Sequence, residues 1–273
     1  MRYHAPSREA VDPAVFGRLP LAAWHEYAAL LEGAEWPSIE LLNRRLPAGA
    51  AHRFVAQTPD LLADGLHYEQ RIAEHGEIAT REGNWHDLLN ALVWLRYPTL
   101  KQVLNQRQMA EIACMGPKQR SRAQYAMTHF DEGGVIVEVR DPALLALWDA
   151  HDWYDLFWRH RQAWLDGSIR LELFGHALLE HALSPDKLLV GKALVFESTG
   201  DVDVDVGRVS VHCAEAILSG RLLHDPLELR PLPLSGIPGW HADNADEAFH
   251  RSTACYQPRR AGREYPPACS PSC

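Results

Sequence analysis

The residues best suited to chemistry fall in three short stretches. In REGNWHDLLNALVWLRYP, residues 81–98, His86 and Asp87 are adjacent and Arg81 lies just upstream. At 100° per residue, His86 and Asn90 share one helical face, with Asp87 beside them. An imidazole next to a carboxylate offers a metal ligand, or an acid–base pair in which Asp87 fixes the tautomer of His86. A structural role competes with this. With Asn84 as the helix N-cap, Asp87 is at the third helical position, where a carboxylate bonds back to the cap N–H and is favoured by the helix dipole. The same dipeptide recurs at His151-Asp152 and His224-Asp225, so it also arises without any shared role.

The second stretch is MTHFDEGGVIVEVRD, residues 127–141, with β-formers on both sides of DEGG. This pattern predicts a hairpin with Asp131 and Glu132 at its tip or at the last strand position. Neighbouring strand side chains point to opposite faces, so one carboxylate would aim inward, as a site for Mg²⁺ or Mn²⁺ requires. Strand register decides which. The alternative is that the pair only forms the turn. The third stretch is GHALLEH, residues 175–181. It puts His176 and Glu180 one helical turn apart on an otherwise apolar face, either as a self-satisfied buried pair or as two groups offered to a metal or substrate.

Taken together, His86, Asp131, Glu132 and His176 are the expected ligands of a divalent metal. Asp87 and Glu180 are the expected acid–base carboxylates. Arg81, with Arg122 as a second candidate, would hold an anionic group of a small ligand. The implied chemistry is metal-assisted hydrolysis, in which metal-bound water attacks and a carboxylate acts as general base. The competing reading is a non-enzymatic module binding a small ligand or a partner, its polar residues serving as caps and buried struts.

Other signals carry no chemistry. DVDVDVG (201–207) imitates a calcium loop, but its glycine is one place late and His212 stands where a glutamate is needed. Neither a phosphate loop nor a dinucleotide fingerprint occurs, and no G-x-S-x-G elbow precedes Ser210 and His212. SGIPGWHADN (235–244) reads as a Trp-anchored strap, or as a cap over the pocket.

The elements that must position these residues are mostly helical. Apolar spacing predicts helices over 21–33, 37–46, the second half of 61–76, 84–97, 99–116, 118–127 and 207–220, with helix in pieces over 142–167. The second half of 169–185 is also expected to be helical, 187–198 a strand, and 47–60 a loop. The prolines and glycines of 226–240 argue against regular structure. The expected fold class is α+β, mainly α-helical, with a small antiparallel sheet or hairpin, in a single domain over 1–255 whose core spans about 21–245. The tail, 256–273, is expected to be disordered.

Composition sets the outer bounds. Of 273 residues, 47% are hydrophobic and 23% charged, enough to bury a core without staples. The nine tryptophans point to a thick aromatic core. A formal net charge of −9 argues against nucleic acid or an anionic membrane as partner. The five cysteines are odd in number and lack C-x-x-C spacing, which argues against a disulfide framework and for a reducing compartment. No stretch reads as a secretory signal or a membrane span, so a cytoplasmic protein is expected; its oligomeric state is left open.

One further reading comes from resemblance. YEQRIAEHGEIATREGNWHDLLNALVWLRYPTLKQVLNQRQ (68–108), MTHFDEGG (127–134), LFGHALLEHALSP (173–185) and PLPLSGIPGWHADN (231–244) resemble, in this order, a bacterial family called domain of unknown function 3025. The resemblance covers most of 60–245 and implies no assigned activity. Its pattern falls here on Asn84, His86, Asp87, Asp131, Glu132, Gly133 or Gly134, Gly175, His176 and Glu180. The family pattern has an Arg-Asp pair where this chain has Arg122-Ala123.

Overall fold

A computed structural model of the chain describes residues 3–116, 119–198 and 206–269. Short helices α1 (Ala28–Leu31), α2 (Ile39–Asn43) and α3 (Pro59–Leu62) lead into a helical body. That body comprises α4 (Tyr68–His75), α5 (Trp85–Arg96), α6 (Pro98–Met115) and α7 (Arg122–Gly133). After it come α8 (Pro142–Ala150), α9 (Gln162–Leu165), α10 (His176–His181), α11 (Val206–Leu218) and α12 (Glu247–Ser252). Mixed α and β structure is as expected, but the β part differs. A four-stranded sheet has the order β4-β3-β5-β6, with β3 (Gly134–Val139), β4 (Ile169–Leu173), β5 (Val190–Glu197) and β6 (Arg230–Pro233). β3 runs parallel to β5, while β4 and β6 are antiparallel to their neighbours. The sheet is therefore mixed, and helices rather than a hairpin turn connect its strands.

The expected hairpin at DEGG is not formed. Helix α7 carries Asp131 and Glu132 in its last turn and passes straight into β3 at Gly134. The two glycines there serve close approach rather than a turn. A Cβ on Gly175 would lie 2.5 Å from the Gly134 nitrogen and 2.6 Å from Gly133 carbons. Without one, Gly175 N–H donates to Gly134 O at 2.8 Å and Phe174 N–H to the same oxygen at 3.0 Å. The end of α7 is thus clamped against the start of α10, which brings Asp131 and Glu132 to His176.

β1 (Arg53–Ala56), β2 (Glu77–Thr80) and β6 were hidden in sequence. β1, in the stretch expected as loop, pairs in parallel with β2. Gly76 permits this: its φ of +65° closes α4, and a Cβ there would lie 2.6 Å from Ala51 O. β6 forms despite Pro231 and Pro233, because it is an edge strand whose missing N–H groups cost no ladder bond on the open side.

Helix α5 is the central strut. Asn84 caps it, accepting from Asp87 N–H at 3.0 Å, and Trp85, Leu88, Leu89, Ala91, Leu92, Val93 and Trp94 are buried. Pro98 ends it and opens α6. Trp24, Trp85, Trp94, Trp148 and Trp153 all belong to one apolar core with the sheet residues Val135, Ile136, Val137 and Val139. Cys114, Cys213 and Cys255 make no disulfide. The segment from 256 is not loose as far as it is described. Cys269 N–H donates to Val195 O at 2.9 Å beside β5, and Arg230 donates to Pro266 O at 2.6 Å. The first pairs the tail with β5 backbone beyond the end of β6, and the second holds it by the Arg230 guanidinium. Residues 201–205 of the calcium-loop imitation, and Cys273, lie outside the described residues. Among the described residues no helix is long and apolar enough to cross a membrane.

Candidate metal centre

Three separated segments meet at one point. His86 projects from the first turn of α5, Glu132 from the last turn of α7 and His176 from the first position of α10. Each offers one ligand atom, and these atoms all lie within 4.8 Å of one another. The two imidazole Nε2 atoms are 3.0 Å apart, and Glu132 Oε2 is 3.8 Å from His176 Nε2. Nitrogens on adjacent vertices of an octahedral ion, each about 2.1 Å from it, stand about 3 Å apart. The imidazole spacing is that of two such ligands.

Each imidazole has a carboxylate behind it. His86 Nδ1 bonds to Glu180 Oε2 at 2.9 Å. Asp131 Oδ2 lies 3.9 Å from His176 Nδ1, which is buried and makes no hydrogen bond. His176 and Glu180 therefore do not satisfy each other, although one helical turn places both on the face of α10 that meets α5: both engage His86. The Glu180 bond raises the pKa of His86 against the opposing effect of burial. Burial pushes His176 down to about 3, so it is a neutral imidazole with a lone pair to offer. Glu132 is raised, chiefly by burial.

The wall behind this point is a polar network. Lys101 on α6 is buried and has its ammonium 2.6 Å from Asp131 Oδ1 and 2.9 Å from Asn90 Oδ1. An unpaired ammonium in that position would cost several kcal/mol, so the pairing is obligatory. Burial acts to raise Asp131, but Lys101 and the two imidazoles together outweigh it and the carboxyl lies below its usual value. Asn90 in turn donates to Tyr68 OH at 2.9 Å, and Asn105 donates to Glu69 Oε2 at 2.6 Å. Burial raises Glu69 and Tyr68. Together these side chains line a cavity of about 480 Å³ among α4, α5, α6 and α7, with Trp94, Gln108, Arg120 and Gln124 on its walls and His86, Glu132 and His176 at one end.

Several sequence expectations change. Asp87 does not bond back to the cap of α5. Its carboxylate takes Arg81 N–H at 2.6 Å and the guanidinium at 2.7 and 3.0 Å, so it positions Arg81. Arg81 lines the cavity with half its side chain exposed. Arg122 is elsewhere: its guanidinium forms a bidentate pair with Asp225 at the surface. Asp131, expected as a ligand, is instead paired to Lys101 behind His176. The 235–244 strap does not reach the cavity; buried Asn244 ties it down by donating to Ser235 O at 2.8 Å and Ile237 O at 2.5 Å. Lys101, Tyr68, Glu69 and Asn105 were missed. The signal was there, since Lys101, Asn105 and Gln108 recur at helical spacing along α6 and so share one face of it.

Comparison with known proteins adds lineage. A model of the family described as protein of unknown function (DUF3025) matches residues 52–260, and the chain belongs to that family. No curated protein and no solved structure matches it.

Proposed function

We propose that the protein is a metal-dependent hydrolase of a small anionic substrate, with one divalent ion held by His86, His176 and Glu132. The observation that carries this reading is the pair of Nε2 atoms 3.0 Å apart, with Glu180 hydrogen-bonded to the other ring nitrogen of His86 and Asp131 3.9 Å from that of His176. Metal-binding histidines regularly have such a carboxylate on the other ring nitrogen, because it fixes the tautomer and strengthens the ligand. Two imidazoles and one carboxylate leave positions open on a six-coordinate ion such as Mn²⁺ or Fe²⁺. An ion there would lower the pKa of a bound water toward neutrality and polarise a substrate carbonyl or phosphoryl oxygen. Asp87 and Arg81 contribute positioning: the carboxylate fixes the guanidinium beside the centre. Glu180 orients His86, and Lys101 with Asp131 orients the wall at His176.

The second reading is a small-ligand binding module without chemistry. It is favoured by one observation: the 3.0 Å between the Nε2 atoms of His86 and His176 is also a hydrogen-bond distance, so that contact, with Lys101 against Asp131, satisfies much of the network without a metal. Turnover separates the two. Full-length protein is assayed with a chromogenic phosphomonoester and a chromogenic carboxylic ester, with Mn²⁺, Fe²⁺, Mg²⁺ or Zn²⁺ and with EDTA. The hydrolase reading expects metal-dependent turnover that EDTA and His86→Ala both abolish. Absence of turnover with every ion, or turnover indifferent to EDTA, favours the module.

A further inference from the structure

The metal centre stands on a partition. Arg81, His86 and Glu132 line the inner cavity described above, and the same three line a second, larger cavity of about 1130 Å³ on their other side. The two spaces differ in chemistry. The inner one mixes carboxamides with charges of both signs, among them Glu69, Lys101, Arg120 and Asp131. The outer one carries Lys187 and Lys192 with His129 and His181, and its acidic wall residues are Glu132 and Glu180.

Those acidic residues are occupied elsewhere. Glu180 is bonded to His86, and Glu132 is the carboxylate of the proposed centre. Arg81 is held by Asp87, whereas neither Lys187 nor Lys192 makes an ion pair among the described residues. Both lysines are nonetheless placed. The Lys187 ammonium sits 3.8 Å from the centroid of the Tyr3 ring, and Tyr3 is itself anchored by donating to Glu180 O at 3.0 Å. The stem of Lys192 packs over Gly133, the residue after Glu132, where a Cβ would be 3.4 Å from its Cγ. Two ammonium groups without an ion pair, one of them stacked on Tyr3, line the same concave wall and offer positive charge to an oxyanion.

We infer that the outer cavity binds a phosphate group of the substrate through Lys187 and Lys192, beside the proposed metal centre. This rests on the hydrolase reading for the bond-breaking step, but the phosphate site stands on the lysines alone and is tested without metal.

Inorganic phosphate is titrated into metal-free, full-length protein in EDTA, followed by thermal shift and calorimetry. The inference expects saturable binding that weakens by about tenfold or more in the double variant Lys187→Gln, Lys192→Gln, as loss of two charge-assisted contacts demands. Lys192→Glu alone, at an exposed position, gives the same direction should the double variant fold poorly. No phosphate binding by the wild type, or binding undiminished in both variants, overturns the inference. Phosphate binding that persists in protein unable to bind any metal supports this site and sinks only the hydrolase reading. Metal binding without phosphate binding does the reverse.

Discussion

His86 and Glu180, separated by 94 positions, are joined by a 2.9 Å hydrogen bond from Nδ1 to Oε2. The bond leaves Nε2 of His86 aimed at His176 and fixes which nitrogen is free to take a metal. Glu180→Gln keeps the shape but weakens the base behind the ligand. It should lower metal affinity by about 10–100-fold with little change in melting temperature, as loss of such a partner does elsewhere. Calorimetric metal titration of wild type and variant checks this; equal affinities would assign Glu180 a purely structural role.

Lys101 and Asp131 form a second relationship with a measurable consequence. Lys101→Met leaves the Asp131 carboxylate facing a buried wall without its cation and should destabilise the fold by roughly 3 kcal/mol. Asp131→Asn in the same background should recover part of that loss, because no uncompensated charge remains. Chemical denaturation of the two single variants and the double variant measures the coupling. Additive effects would mean that the 2.6 Å contact contributes no specific pairing energy.

Gly175→Ala tests the backbone clamp. The added Cβ would lie 2.5–2.6 Å from the backbone of Gly133 and Gly134, which cannot rotate away. The expected result is a loss of about 1–3 kcal/mol, typical of overpacking, together with weaker metal binding as α10 shifts from α7. Wild-type metal affinity in a folded Gly175→Ala variant would show that the clamp does not set the centre.

Arg122 is predicted to be irrelevant to the site. Its bond holds Asp225 down to about 2, below the usual value of about 3.9. A carboxyl lowered on folding contributes stability above its unfolded pKa and loses it as pH falls through the folded value. Arg122→Ala should therefore reduce stability slightly at neutral pH and flatten the acid limb of the stability curve between about pH 4 and 2. Metal and phosphate binding should not change. A drop in either would return Arg122 to the site.

Much of this site was legible before the fold was known, for a physical reason. His176 and Glu180 are polar residues on a helix face that is otherwise apolar, and His86 shares one face of an apolar stretch with Asn90; such residues need a purpose. The hairpin expectation failed because an acidic pair before two glycines has the composition of a turn. Here the glycines answer to a neighbour distant in sequence, Gly175, which local pattern cannot reveal. β1 and β2 span four residues each and pair in parallel around α4, so neither shows a readable alternation. β6 was obscured by Pro231 and Pro233, whose tolerance depends on an edge position that only the sheet order discloses. Asp87 misled in a subtler way: its place at the third helical position fits a capping box, yet the guanidinium of Arg81 outcompetes the cap N–H for its oxygens.

The central claim is that two imidazoles and one carboxylate from α5, α7 and α10 hold a single divalent ion. Titration of metal-stripped full-length protein with Mn²⁺, followed by electron paramagnetic resonance of the free ion, tests it most directly. The account predicts one bound Mn²⁺ per chain, lost in His86→Ala and His176→Ala and weakened in Glu132→Gln, with each variant still folded. Failure of the wild type to take up the ion at millimolar concentration, or uptake unaffected by both histidine substitutions, would contradict it.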